Sequence, residues 1–305
     1  MENRIKLGDS LGVLKTLKNE SIDCVVTSPP YWALRNYGVV GQLGLEPTFQ
    51  EYIIKLCDIF DEVKRVLKKE GTCFVNLGDT YGGSGDKGDW EDPKDKNRNG
   101  QRKSVNKSAT QKSLCQIPSR FAIEMCNRGW ILRNKIIWHK PNVMPSSVKD
   151  RFTVDYEEIF FFTKNKNYYF EQQFEPLSQV SIDRVRYGWK SKKANASVMN
   201  GKGIDVEKMG ERFANEKGRN KRTVWKIPTS SSRYSHVAMF PEALIEPMIK
   251  AGCPTGGVVL DIFMGAGTTA VVAKKNNRNY LGIELNPEYI KIAEERIGAM
   301  SSPLF

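Results

Sequence analysis

The sequence predicts an α/β fold on parallel strands, with a nucleotide-type half placed last and the strand order therefore permuted. Three observations carry this. From residue 257 onward the pattern runs strand, glycine-rich turn, helix, strand, helix, and such alternation means parallel pairing. A second short apolar strand, Asp23 to Thr27, is stopped by Ser28-Pro29-Pro30. Finally, 21 of the 305 residues follow Glu284, too few to complete a nucleotide-binding fold downstream. The remaining strands must come from upstream.

Taken in order, Cys24-Val25-Val26 reads as a buried strand. Two prolines cannot continue a helix or a central strand, so 28–31 is a loop at its carboxyl end. Thr48 and Glu51 have capping-box spacing and open a helix with apolar residues at 49, 52, 53, 56, 60, 63 and 67, which Gly71 is expected to end. Thr72 to Leu77 form the next strand, followed by Gly78-Asp79, where Asp79 reads equally as a residue supporting the site or a simple loop acid. A helix is expected over 117–126, and strands over 130–138 and 158–163, paired as a hairpin at a sheet edge. Trp130 and Trp138 read as hairpin core before base contacts. After compact structure resumes at Val224, 257–262 is a strand, 268–275 a helix and 280–284 a strand. Asn286 caps the last helix, with Pro287 at its first position.

Composition narrows the class. Forty per cent hydrophobic and 27% charged residues describe a globular chain with ample core. No apolar run approaches the roughly 18 residues of a membrane span, and the N-terminus has no signal-peptide pattern, so no membrane partner and a cytoplasmic location are expected. Six scattered cysteines, no CxxC and two histidines argue against a metal site. The net charge is +12, and ten of those twelve excess charges sit in two polar stretches. Residues 183–222 hold twelve Lys/Arg against five acids, and residues 82–112 hold eight against five. Both lack apolar periodicity and read as inserts. A basic excess of this size suits a polyanion.

Two constellations carry chemistry. Gly265-Ala266-Gly267-Thr268-Thr269-Ala270 fits GxGxx(G/A), with Glu284 placed to grip ribose hydroxyls. Alone, this pattern is shared between NAD binding, S-adenosylmethionine binding and a plain turn. Asp261, at the end of the preceding strand, would repel a pyrophosphate but suits the positive charges of S-adenosylmethionine. The second is Thr27-Ser28-Pro29-Pro30-Tyr31-Trp32. A stiff loop at a strand's carboxyl end presents a hydroxyl, a proline carbonyl and an aromatic face, which suits a planar base with an exocyclic amine.

Ser28-Pro29-Pro30-Tyr31 together with 261–268 resembles the amino-group DNA methyltransferases, and the order, catalytic loop first, is similar to their β arrangement. The resemblance implies a doubly wound, circularly permuted Rossmann-like fold with a seven-stranded sheet. It implies S-adenosylmethionine as cofactor and duplex DNA as substrate, and leaves open a homodimer and a cognate restriction endonuclease as partners in a bacterium or its phage. Residues 1–164 would form the catalytic half with its insert at 82–112, residues 165–222 the target-recognition region, and 223–305 the cofactor half. Ser28, Pro29, Pro30 and Tyr31 would be catalytic. Asp9, Thr27, Asp261, Phe263, Gly265, Gly267, Thr268, Thr269 and Glu284 would bind cofactor. The stretch 236–241 would pack beside the cofactor, with His236 a packing residue before a proton acceptor. Arg184, Arg186, Arg212, Arg219 and Arg222 are the candidate DNA contacts. Ser before Pro-Pro-Tyr favours cytosine N4 as the accepting atom, with adenine N6 the alternative and a non-catalytic DNA-binding protein a remote one. Methylation at cytosine carbon 5 needs a thiolate in a Pro-Cys context, and the chain has no such dipeptide.

Overall fold

A computed structural model of the chain describes residues 3–83, 109–178, 180, 218–229 and 239–300. It divides into two compact units, one of residues 1–171 with 223–305 and the other of residues 172–222. No helix among the described residues is long and apolar enough to cross a membrane.

The first unit is built on an eight-stranded sheet. Its strands are β1 (Arg4–Leu7), β2 (Ile22–Thr27), β3 (Leu67–Leu77), β4 (Ile131–His139), β5 (Tyr156–Thr163), β8 (Val224–Lys226), β9 (Val258–Asp261) and β10 (Asn279–Glu284). They lie in the order β1-β10-β9-β2-β3-β5-β4-β8. All neighbours pair parallel except β5, which is antiparallel to both β3 and β4. The hairpin expected at a sheet edge is therefore interior. β8 covers it, pairing Trp138 with Trp225, and raises the expected seven strands to eight.

Period-two alternation splits each apolar run between two cores. Val25, Cys73, Val75, Phe160, Phe162 and Leu260 face helices α1 (Ser10–Lys15), α2 (Phe49–Val66) and α3 (Ile117–Asn127). Cys24, Val26, Phe74, Phe161 and Val259 face the other side. That side is covered by α4 (Glu242–Gly252), α5 (Thr268–Lys275) and α6 (Pro287–Ala299). This is why the strands read as unbroken hydrophobic segments: both faces are buried.

Local sequence explains most element ends. Thr48 Oγ1 accepts from Glu51 N at 3.2 Å, and Asn286 Oδ1 accepts from Glu288 N at 2.9 Å. Gly71 does not end α2 as expected. The helix stops at Val66 because fully buried Leu67 turns extended and pairs with Ile22 as the start of β3. The ladder then skips to Cys24 and Thr72, so 68–71 bulge out. Gly71 is needed there for space: a Cβ would lie 2.6 Å from Leu67 Cγ and 3.1 Å from the Asp23 carbonyl. Asp79 caps α3 from outside it, its Oδ1 accepting from Ile117 N at 3.0 Å and Thr80 N at 2.8 Å.

In the second unit, β6 (Phe174–Glu175) pairs antiparallel with β7 (Arg219–Asn220). Glu175 Oε1 accepts from Arg219 Nε at 2.8 Å and from Arg222 Nε at 2.6 Å. Arg184, Arg186 and Arg212 lie outside the described residues, as do His236 and residues 84–108 of the 82–112 insert.

Candidate active site

β2 and β9 are hydrogen-bonded neighbours, with Cys24 opposite Val259 and Val25 opposite Leu260. Their carboxyl ends emerge side by side, and the chain leaves them toward opposite faces of the sheet. Such a switch point is where open α/β sheets bind ligands. The Pro-Pro loop after β2 and the glycine-rich loop after β9 wall a single cleft of ≈ 290 Å³. Of the residues predicted from sequence, Ser28, Pro29, Tyr31, Phe263, Gly265 and Thr268 line it. Met239 and Phe240, from the expected 236–241 element, also line it.

The other predicted residues make contacts in and around these two loops. Thr27 Oγ1 donates to Asp261 Oδ1 at 2.7 Å, Thr269 Oγ1 donates to Oδ2 at 2.6 Å, and Phe263 N donates to Oδ1 at 3.1 Å. Asp261 is 1% exposed, so its carboxylate is committed to tying the loops together. Three donors thus already occupy the carboxylate that the sequence suggested for the cofactor's positive charge. Glu284 accepts from Gly265 N at 2.7 Å and Asn286 N at 2.8 Å, which fixes the backbone of the glycine loop. Gly267 has φ +78°, and a Cβ there would come within 2.7 Å of Ala293 Cβ, so it permits α5 to pack on α6. Asp9 caps α1, accepting from Leu11 N and Gly12 N at 3.0 and 2.9 Å. Pro30 O accepts from Tyr52 Oη at 2.9 Å, and Trp32 Nε1 donates to Glu46 O at 2.9 Å, which pins both ends of the Pro-Pro loop.

Burial dominates the electrostatics here. It pushes the Asp261 carboxyl up to about 6 against the pull of its Thr269, Thr27 and Phe263 donors. The folded protein thus holds a proton that an unfolded carboxyl, at 3.8, has already released. Stability from this group is greatest below the unfolded value and is lost as pH rises toward 6. Asp261→Asn, which keeps the shape without the charge, should therefore gain on wild type by up to about 3 kcal/mol between about pH 4 and pH 6. Urea unfolding of both proteins across that range measures the difference; a difference independent of pH would contradict it.

Gly265 shows what the cleft accepts. Its φ is +52°, and the space a Cβ would enter is open, the nearest atom being Phe263 O at 4.0 Å. A bare backbone wall with a φ that side chains rarely adopt is a cradle that a side chain would fill. It fits the close approach of a cofactor such as S-adenosylmethionine, with Phe263 and Met264 as apolar lining and the start of α5 at Thr268 nearby.

Sequence reasoning missed one group of residues. Behind Tyr31, Asn76 of β3, Glu157 of β5 and Lys140 just past β4 also line the cleft. Tyr31 Oη donates to Glu157 Oε2 at 2.7 Å, Asn76 Nδ2 donates to the same oxygen at 2.7 Å, and Lys140 Nζ pairs with Glu157 Oε1. Because β5 runs antiparallel, its start meets the carboxyl ends of β3 and β4, with Glu157 opposite Trp138. A signal existed in Asn76, a polar residue inside an apolar strand run. Trp130 packs in the core against Phe162, as expected, whereas Trp138 is both buried and part of the cleft wall.

Comparison with known proteins adds ancestry to this geometry. The family model described as DNA methylase, of the N6/N4 methyltransferases, matches residues 22–295. The type II methyltransferase M.SmaI of Serratia marcescens is 41% identical over 299 residues, covering 96% of this chain and 90% of its own length. M.Cfr9I of Citrobacter freundii is 40% identical over 293 residues, with 95% and 86% covered. Among solved structures, the PvuII DNA methyltransferase (cytosine-N4-specific) superposes with a TM-score of 0.64 at 21% identity, over 97% of this chain and 86% of that one. A putative DNA modification methylase of Thermus thermophilus, complexed with S-adenosyl-L-methionine, gives 0.60 at 23% identity, over 99% and 96%. With nearly the whole chain matched by the family and by relatives near 40% identity, the protein belongs to the N4/N6 DNA methylase family and is a DNA methyltransferase.

Proposed function

We propose that this enzyme methylates the exocyclic N4 amine of a cytosine flipped out of duplex DNA, at a specific site. S-adenosyl-L-methionine is the methyl donor, and supplies an electrophilic methyl group on a positively charged sulfur. The observation that carries the proposal is the convergence of Ser28, Pro29, Tyr31 and Gly265 on one cleft. A hydroxyl and a carbonyl there accept the two amine hydrogens, which favours a pyramidal nitrogen and directs its lone pair. The Tyr31 ring offers a stacking face that offsets a few kcal/mol of unstacking. Catalysis is then alignment plus electrostatics, and the proton leaves after transfer, with no covalent enzyme intermediate. Burial pushes the thiols of Cys24, Cys57, Cys73, Cys115 and Cys253 up, which further disfavours carbon-5 chemistry by any of these five.

Ser28 supports cytosine, because adenine-N6 members of this family mostly carry Asp or Asn at that position. Residues 165–222 supply target recognition in this reading, with base or phosphate contacts from Arg184, Arg186, Arg212, Arg219 and Arg222. Glu175 orients the last two. Incubating duplex DNA with the protein and labelled cofactor, then digesting to nucleosides, tests the accepting atom. N4-methylcytosine is expected, and N6-methyladenine would overturn the choice of base.

A further inference from the structure

The catalytic loop accounts for Ser28 and Tyr31 but leaves a half-buried ion pair in the same cleft without a use. Glu157 and Lys140 have side chains only 17% and 16% exposed. Withdrawing two charges from water is expensive, and a hydrophobic pair of similar size serves stability at least as well. The pair is therefore weak as a stabilising device and strong as a geometric one. Glu157 accepts on Oε1 from Lys140, whose ammonium stands 4.4 Å from the centroid of the Trp138 ring. On Oε2 it accepts from both Tyr31 Oη and Asn76 Nδ2, while Asn76 Nδ2 also lies 2.8 Å from Tyr31 Oη. The phenol is thus fixed at its tip by groups from β3 and β5. Along its edge, the ring packs into the space left by Gly78: a Cβ at that position would fall 2.4 Å from Tyr31 Cε2. Burial, reinforced by Glu157, holds the Tyr31 hydroxyl well above its usual range, so it remains a donor to that carboxylate.

We propose that Glu157 is a positioning residue for methyl transfer: braced by Lys140 and Asn76, it holds the Tyr31 ring in the plane on which the target base stacks. The proposal rests on the reading of Tyr31 as the stacking wall. It explains a tyrosine at this position, since a phenylalanine has the same face but no hydroxyl for Glu157 to hold.

The test is a double-mutant cycle on full-length protein with duplex DNA, using Glu157→Gln, Tyr31→Phe and the pair, with Ser28→Ala alongside. A glutamine keeps the shape of Glu157 but has one acceptor oxygen in place of two, so its amide nitrogen faces either Lys140 or the Tyr31 and Asn76 donors and the bracing fails. Each single variant should lower kcat by about ten- to hundredfold, with KM for DNA and calorimetric affinity for S-adenosyl-L-methionine within about threefold. The double variant should fall no more than about twofold below the slower single one, because both cut the same link. Losses that multiply, or that lie in cofactor affinity, overturn the proposal, as does wild-type kcat in a folded Glu157→Gln. If Glu157→Gln does not fold, Tyr31→Phe, which removes one oxygen, decides: wild-type kcat there also overturns it. Ser28→Ala separates the two levels. If it collapses turnover while both other variants run normally, only the positioning role fails. If it too runs normally, the assignment of the catalytic loop fails with it.

Discussion

Replacing Tyr31 with alanine is expected to slow methyl transfer by about a hundredfold or more while leaving affinity for duplex DNA within a few-fold. Phosphate contacts supply most DNA affinity, and Tyr31 sits in a cleft wall rather than among the basic inserts. The ring supplies the stacking face, and its loss leaves Glu157 and Asn76 without their shared phenol. Folding should weaken as well, by about 3 kcal/mol, since a large aromatic is removed from a packed site. Single-turnover rates at saturating DNA, with a thermal melt to confirm the fold, check this. Ser28→Ala, which removes one oxygen, should cost about 10²-fold in kcat with almost no loss of stability. Should both variants lose DNA binding yet turn over normally at saturation, the Pro-Pro loop is a docking element and the transfer chemistry lies elsewhere.

Gly265→Val is expected to weaken S-adenosyl-L-methionine binding by about a hundredfold or more. At φ +52° a β-branched residue is strained, and its side chain would project into the open space of the cleft. Gly267→Ala offers the contrast. Its Cβ would meet Ala293 of α6 rather than the cleft, so it should lower thermal stability before it changes cofactor affinity. Calorimetry and melting curves on both variants separate the two roles. Equal affinity in Gly265→Val and wild type would remove the cofactor from this loop.

Much of this was open to reading from the chain alone. The elements after residue 257 were legible because strand, glycine turn and helix follow one another within a short stretch, each with its local signal. The Pro-Pro loop was legible because proline restricts backbone whatever surrounds it. Less visible were β1, α1 and α4. Arg4–Leu7 is a strand of four residues at the sheet edge with both ends exposed, and Ser10–Lys15 is a helix of six residues. Glu242–Gly252 carries Pro247 inside it, which breaks the expected pattern. Gly71 misled for a related reason: a glycine can end a helix or make room for a neighbour, and Leu67 decides which.

Residue types near turns determined the α/β class, the permuted order and the two loops, since backbone restriction by Pro and Gly and the burial of apolar runs are local. Tertiary structure decided what the polar residues do. Asp261 stands where a carboxylate suits a positive ligand, yet strand pairing brings Thr27 beside it and the helix start brings Thr269, and two hydroxyls and an amide claim it. Asn76, Lys140 and Glu157 are far apart in sequence and meet because β5 runs against its neighbours, which sets its first residues at the ends of β3 and β4. Hydrogen bonds act over about 3 Å. A carboxylate's role therefore follows from which strand ends the sheet brings to it, and sequence spacing carries no record of that.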